Sequence, residues 1–163
     1  MRPKFLFYLF VSFCLISCDN EDDTVCVDFD EDTFVENLNN WNQLNLQNYS
    51  YEYSNSGYSY SGIASNIGIV IVDGDVDTLV ALTENGIQDA DSYLIDDLFA
   101  EIQSTFVDNE DRKLTSEVYI KEIEVVYDEQ YFYPKEVHYI YHVPEEMVGI
   151  WNMHQYIEKF EVE

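Results

Sequence analysis

The amino-acid sequence predicts an α+β fold: an antiparallel sheet of about five to six strands with two amphipathic helices on one face. Segments of alternating apolar residues occur in two consecutive groups whose members are separated by short turn signals. A stripe of apolar residues at helical spacing precedes each group. Helices that are not interleaved singly with strands favour α+β, so we expect the element order α-β-β-β-α-β-β-β.

The first helix is predicted at about residues 33–45. Thr33 and Glu36 have the spacing of a capping box, in which each side chain satisfies a backbone N–H of the first turn. Phe34 and Trp41 then follow at helical spacing, so this helix has one apolar side.

The first group of strands follows this helix. Tyrosine alternates with polar residues in 49–53, which predicts a half-exposed strand. The run IGIVIV at 67–72 is apolar on both faces and predicts a strand in the centre of a sheet. Alternation in 76–82 predicts a return strand, because Asp73-Gly74 is a strong hairpin signal.

The second helix is predicted at about residues 93–107, and the second group of strands follows it. One apolar stripe runs along this helix and consists of Ile95, Leu98, Phe99, Ile102 and Phe106. The three later strands are predicted near 122–127 and 137–141, where apolar and polar residues alternate again, and at 156–162.

The N-terminal residues 1–17 have the layout of a signal peptide. Arg2 and Lys4 precede an apolar run that is shorter than the roughly 20 residues of a membrane-spanning helix. The sequence LISC, which ends at Cys18, resembles a bacterial lipobox. The resemblance implies cleavage before Cys18 and a membrane anchor of acyl chains, including palmitate, on that cysteine; the alternative is an N-terminal anchor with an incidental cysteine.

Residues 18–32 are predicted to be an acidic tether, and residues 33–163 a single domain. The segment directly after the lipobox resembles the acidic export signals of lipoproteins on the outer face of the outer membrane in some Gram-negative bacteria. Its residues are Asp19, Asn20, Glu21, Asp22 and Asp23. We therefore expect an outer membrane lipoprotein at the cell surface; the alternative is that this segment is only a solvated spacer.

The composition restricts the partners. The chain of 163 residues has a formal net charge of −26, which repels phosphate backbones and excludes nucleic acid as a partner. Aromatic residues make up 16% of the chain, whereas disordered acidic chains are poor in them. Cys26 would be the one cysteine left besides Cys18 after signal cleavage, and is either an incidental thiol in the tether or an intermolecular partner.

An ordered set of short segments resembles a family of secreted bacterial domains, many of them lipoproteins, that is catalogued as a domain of unknown function. The resemblance covers residues 34–163. Its segments are Trp41, NYSYEY at 48–53, VIVDGDV at 70–76, IDDLFAEI at 95–102, VVYD at 125–128 and Tyr133-Pro134. It implies an exported domain, and it brings no activity, cofactor or catalytic residue with it.

Two motifs suggest metal binding, and neither predicts a site. Carboxylates at Asp73, Asp75, Asp77 and Glu84 have EF-hand spacing, but Thr78 stands where the loop needs glycine, so a hairpin is favoured. In the other motif, two histidines lie four residues apart, at 138 and 142. In a strand they are about 13 Å apart and cannot share one ion. We expect no tight metal site and no cofactor; the alternative is weak calcium binding by the acidic surface.

Catalysis is not expected either. The sequence contains no Gly-x-Ser-x-Gly motif, and Cys26 lies in the predicted tether. The remaining signal is a set of tyrosines, a residue type enriched at interfaces. The possible binding face consists of Tyr51, Tyr53, Tyr58 and Tyr60, whereas Tyr49 is expected in the core; alternatively, all these rings pack under the helices.

The sequence thus favours a lipid-anchored protein of the cell envelope that is a non-catalytic binding or accessory module. Its partner would be a protein or a glycan. The lipid at Cys18 would anchor the protein in the membrane. The alternative is a cryptic envelope hydrolase, which would require a deep pocket with converging polar groups.

Overall fold

The computed structural model describes residues 24–57, 66–82, 93–110, 118–147 and 152–163. These residues form seven strands and two helices. In chain order they are β1 (Asp28–Phe29), α1 (Glu31–Leu44), β2 (Tyr49–Ser56), β3 (Asn66–Val72), β4 (Asp75–Ala81), α2 (Ile95–Asn109), β5 (Tyr119–Tyr127), β6 (Pro134–His142) and β7 (Met153–Val162).

The α+β class is confirmed, and the strand count is corrected. From α1 onward the elements follow the predicted order of one helix, three strands, one helix and three strands. The two-residue strand β1 precedes them, so the sheet has seven strands rather than five to six. The two positive φ angles of Asp73 (54°) and Gly74 (84°) give the tight turn that joins β3 to β4, as the hairpin signal predicts.

All seven strands belong to one sheet, in the order β1-β5-β6-β7-β2-β3-β4. Each predicted group of three strands is a meander, and antiparallel pairing of the last strand, β7, with β2 joins the two groups. The sheet is not purely antiparallel, because β1 pairs with β5 in parallel at one edge. The strand at the other edge is β4.

Helix α1 begins earlier than the capping box predicts. Asp30 is the N-cap, and its carboxylate accepts hydrogen bonds from the backbone N–H of Thr33 (3.0 Å) and from the Thr33 hydroxyl (2.7 Å). These hydrogen bonds hold the pKa of Asp30 below its usual value, and the one from the backbone N–H has the larger effect. The prediction that Thr33 caps the helix is therefore wrong, and Thr33 lies in the first turn.

Helix α2 contains the predicted apolar stripe. Ile95, Leu98, Phe99 and Ile102 are buried, and Phe106 is half-buried. At its start, the backbone N–H of Leu94 donates to the Asp97 carboxylate, 3.0 Å away. Among the described residues, no helix is both long and apolar enough to cross a membrane.

Both helices pack on the same face of the sheet, as predicted. Phe34 of α1 meets Phe99 of α2 with ring centroids 5.7 Å apart, and Trp41 stands perpendicular to Tyr49 of β2 at 5.6 Å. Phe99 also stacks on Tyr127 of β5. The core is therefore one layer of aromatic and branched side chains between the helix pair and one sheet face.

The segment before α1 belongs to the domain, which corrects the predicted tether. Val25 and Val27 are buried, while Cys26 between them is exposed. The backbone N–H of Val27 donates to the carboxylate of Glu110 at 2.9 Å, directly beyond the end of α2. The predicted domain boundary at residue 33 is therefore wrong, because the packed structure already includes Val25.

Candidate functional site

The candidate functional site is the sheet face opposite the helices, which we call the open face. Successive side chains of a strand point to opposite faces, so the residues between the buried positions point away from the core. No helix or strand of the described ranges covers them. The open face consists of Ser50, Glu52, Ser54, Gly68, Val70, Val72, Thr78, Val80, Glu122, Glu124, Val126, Glu136, His138, Ile140, His154, Tyr156 and Glu158.

Two of the four tyrosines predicted as a binding face, Tyr51 and Tyr53, do not lie on this side. Tyr51 and Tyr53 are 2% and 6% exposed and form part of the core, as does Tyr49. The Tyr51 hydroxyl donates to the backbone carbonyl of Tyr93, and burial raises the pKa of Tyr51 well above its usual value. The prediction of an exposed face at Tyr51 and Tyr53 is therefore wrong, because the helices cover the side of β2 on which they lie. The expectation that Tyr49 is core is confirmed.

The other predicted site residues lie outside the described residues. These are Cys18, the acidic residues Asp19, Asn20, Glu21, Asp22 and Asp23, and the tyrosines Tyr58 and Tyr60. Glu84, the last carboxylate of the EF-hand-like spacing, also lies outside them.

One end of the open face is apolar. The residues of β3 that point away from the helices include Gly68, Val70 and Val72, so this strand is apolar on both sides although only one side is covered. A shallow groove of about 370 Å³ lies above Gly68. Val80 and Leu82, which are 50% and 44% exposed, line it on the side of β4.

Charged residues border this groove on the side of β7. Lys159 has a positive φ of 51° in a β-bulge, where β7 has one residue more than β2. Its ammonium lies 2.7 Å from the Glu52 carboxylate, and this hydrogen bond raises the pKa of Lys159. The groove lining also includes Glu161, so acidic groups outnumber basic ones there.

Two histidines meet in the middle of the open face. His138 of β6 lies directly opposite His154 of β7, and their rings are 4.5 Å apart in an edge-to-face arrangement. His138 also has carboxylate neighbours: its Nδ1 is 3.5 Å from Glu124, and its Nε2 is 3.7 Å from Glu136. The His138 Nε2 and the His154 Nδ1 are buried and have no hydrogen-bond partner among the described residues.

Sequence reasoning did not find this pair. His154 is sixteen positions from His138, and only the pairing of β6 with β7 brings them together. The two carboxylates flank opposite nitrogens of the His138 ring, so they do not converge on one point. Within the described ranges, no three His, Cys, Asp or Glu residues are arranged to hold a metal ion.

A polar contact also links α2 to the sheet on the helix side. The Gln155 amide donates to the Glu101 carboxylate at 2.8 Å, and Gln155 is only 5% exposed. Burial of this carboxylate raises the pKa of Glu101 above its usual value, which the Gln155 hydrogen bond partly offsets. Part of the Glu101 side chain remains in solvent, so we assign this contact a structural role in fixing α2 on β7.

Comparison with known families matches residues 33–142 to a family of unknown function, DUF6174. The match spans more than half of the chain, so the chain belongs to this family. No curated protein and no solved structure matches the chain.

Proposed function

We propose that this protein is a lipid-anchored, non-catalytic binding module of the bacterial envelope that acts by contact through its open face. The observation that supports this most directly is the one-sided sheet. Both helices pack on one face, and the other face carries exposed valines at positions 72, 80 and 126.

The apolar content of the open face supports a contact function. When one side of an antiparallel sheet is wetted, that side is usually polar. Here two exposed apolar residues, Val80 and Leu82, line a groove, and apolar groups next to a polar rim are typical of interaction sites. Covering them would remove apolar surface from water, at about 25 cal/mol per Å².

The polar groups of the described residues support contact more than catalysis. A hydrolase would need a nucleophile held against a base. The Thr33 hydroxyl donates to the Asp30 carboxylate and the Thr78 hydroxyl to the Asp77 carboxylate, but both contacts are exposed and join near neighbours in the chain, whereas a hydrolase site gathers its polar groups in a pocket. We therefore keep the hydrolase as the alternative and not as the proposal.

The proposed anchor is the acylated Cys18 of the lipobox-like sequence, and the acidic segment 19–23 is the proposed export signal to the outer face of the outer membrane. Stable anchoring takes two or more acyl chains, which an acylated lipoprotein cysteine provides. A tethered module has a high effective concentration next to other envelope components. Weak contacts through a shallow face are then sufficient for occupancy.

Cross-linking in intact cells tests the contact role. A photo-reactive amino acid at Thr78 or Glu158, which are exposed on the open face, should give a discrete cross-linked product. The same amino acid at Glu36 of α1 or Gln103 of α2, which are exposed on the helices, should give none. The measurement is a shift of the protein to higher mass on a denaturing gel.

The helix positions are the matched controls, because they carry the same probe at similar exposure. Products of equal yield from both sides of the domain, or from the helices alone, would contradict the proposal that the open face is the contact surface.

Lipid attachment can be tested separately. In the native host, Cys18→Ala should abolish incorporation of a fatty-acid probe, because the acylated sulfur is lost. Cys26→Ala removes the other cysteine that follows the predicted signal peptide and should keep full labelling. Labelling that persists in Cys18→Ala would rule out this anchor.

A further inference from the structure

Among the described residues, the edge strand β4 has backbone hydrogen-bonding groups on its outer side that no other strand uses. The N–H of Leu82 donates to the carbonyl of Asn66 at 2.9 Å, so these residues form a hydrogen-bonded pair across the hairpin. Such pairs alternate along an antiparallel ladder. With the observed register, the N–H and C=O groups of Leu79 and Ala81 therefore point away from β3.

Within the described ranges, little protects this end of the edge from pairing. Natural edge strands are usually blocked by lysine, proline, a bulge or a covering element. In β4 the bulge and the two aspartates lie in the first half, at residues 75–77. The second half is TLVA, which carries no charge and no proline. In the described part of the chain, no strand pairs with its outer side.

The groove provides a place for an apolar side chain of an added strand. Val80 points to the open face, and a strand paired with β4 would place every second side chain beside it. A side chain of the added strand beside Val80 can reach the space over Gly68. This space is open, because a Cβ built on Gly68 would meet no atom closer than 3.8 Å.

The charge of the protein indicates which residues the rest of an added strand should carry. Asp75 and Asp77 are exposed at the first half of β4, and the whole chain has a net charge of −26. A second copy of this chain would bring the same negative charge to the edge and be repelled. A segment with lysine or arginine beside Asp75 and Asp77 would be attracted.

We propose that the outer edge of β4 binds an extended partner segment, part apolar and part basic, which joins the sheet as a further strand. This inference rests on the proposed contact function and identifies its partner class. Backbone hydrogen bonds to Leu79 and Ala81 supply affinity, and the groove and the aspartates supply selectivity.

Peptide binding to the full-length protein in detergent tests the proposal. The probe is a fluorescent ten-residue peptide in which the first half is rich in valine and isoleucine and the second half in lysine. A second peptide has the same sequence with alternate backbone nitrogens methylated, so that it keeps its charge but cannot donate to β4. Fluorescence anisotropy should show binding of the first peptide and at least tenfold weaker binding of the methylated one.

Two variants locate the binding site. Val80→Lys places a positive charge at the edge, and Ala81→Pro removes the outward N–H; each should weaken binding at least tenfold. Val107→Lys is the matched control, because Val107 is 62% exposed on α2 and the substitution makes the same change in net charge. Its affinity should equal that of the wild type.

Wild-type affinity in Val80→Lys, or equal binding of the two peptides, would overturn the inference. So would self-association of the wild-type protein in sedimentation that Val80→Lys abolishes, since the edge would then bind a second copy. A different result would separate the two proposals. If cross-linking from Thr78 and Glu158 succeeds and Val80→Lys does not change the yield of the product, the contact function is supported and the β4 edge is not the contact site.

Discussion

Tyr51→Ser should lower the free energy of unfolding by about 3–5 kcal/mol, the range for deleting a buried aromatic ring. The ring is 2% exposed and stacks beside Tyr49, and the hydroxyl is held by the carbonyl of Tyr93. Total stabilities are about 5–15 kcal/mol, so this variant should be partly unfolded near 37 °C. Urea unfolding followed by circular dichroism measures the loss.

Tyr51→Phe is the matched control, because it keeps the ring and removes only the hydroxyl. It should cost about 1 kcal/mol, the contribution of one hydrogen bond. If Tyr51→Ser were as stable as the wild type, the ring would be exposed after all, and the open face would have to be assigned again.

Gly57→Ala should destabilise the protein by about 2–4 kcal/mol. Gly57 directly follows β2 and has a φ of 114°, a backbone conformation that favours glycine. A Cβ there would overlap the carbonyl oxygen of Asn152 and lie 2.8 Å from the Cα of Met153, so the start of β7 would have to move. Thermal unfolding should show a Tm lower by about 5–15 °C.

Gly68→Ala makes the same chemical change where there is space. Its Cβ would meet the carbonyl oxygen of Val80 at 3.8 Å, an ordinary contact, and the expected change is within about 0.5 kcal/mol. Equal losses in the two alanine variants would show that backbone conformation and crowding at Gly57 are not the cause.

The element order could be predicted because its signals are local. Asp73-Gly74 marks a two-residue turn, and the alternation in β2, β5 and β6 marks strands. The segment before α1 also has a local strand signal, because Val25, Val27 and Phe29 alternate with polar residues or cysteine up to the end of β1. The acidic composition around them favours a tether, and only packing against the sheet shows that the two valines are buried.

The candidate site could not be predicted because it depends on which side of the sheet the helices cover. Alternation shows that Tyr51 and Tyr53 share a side, but a tyrosine suits a core as well as an interface, since it has an apolar ring and a polar hydroxyl. The other side of β2 carries Ser50, Glu52 and Ser54, and these residue types do not indicate a binding site. His138 and His154 become neighbours through the pairing of β6 with β7. Ten residues join these strands, so no tight turn sets their register.

The burial of Val25 and Val27 determines how the domain would face the membrane. If Cys18 carries the anchor as proposed, seven peptide units join it to Val25, and they span at most about 25 Å when fully extended. This length is about half of what a tether that extends to residue 33 could span. The edge formed by β1 and β5 would then be held close to the lipid surface. Six strand spacings separate β1 from β4, which is about 29 Å. Anchoring at one edge would therefore point the other edge, β4, outward from the cell.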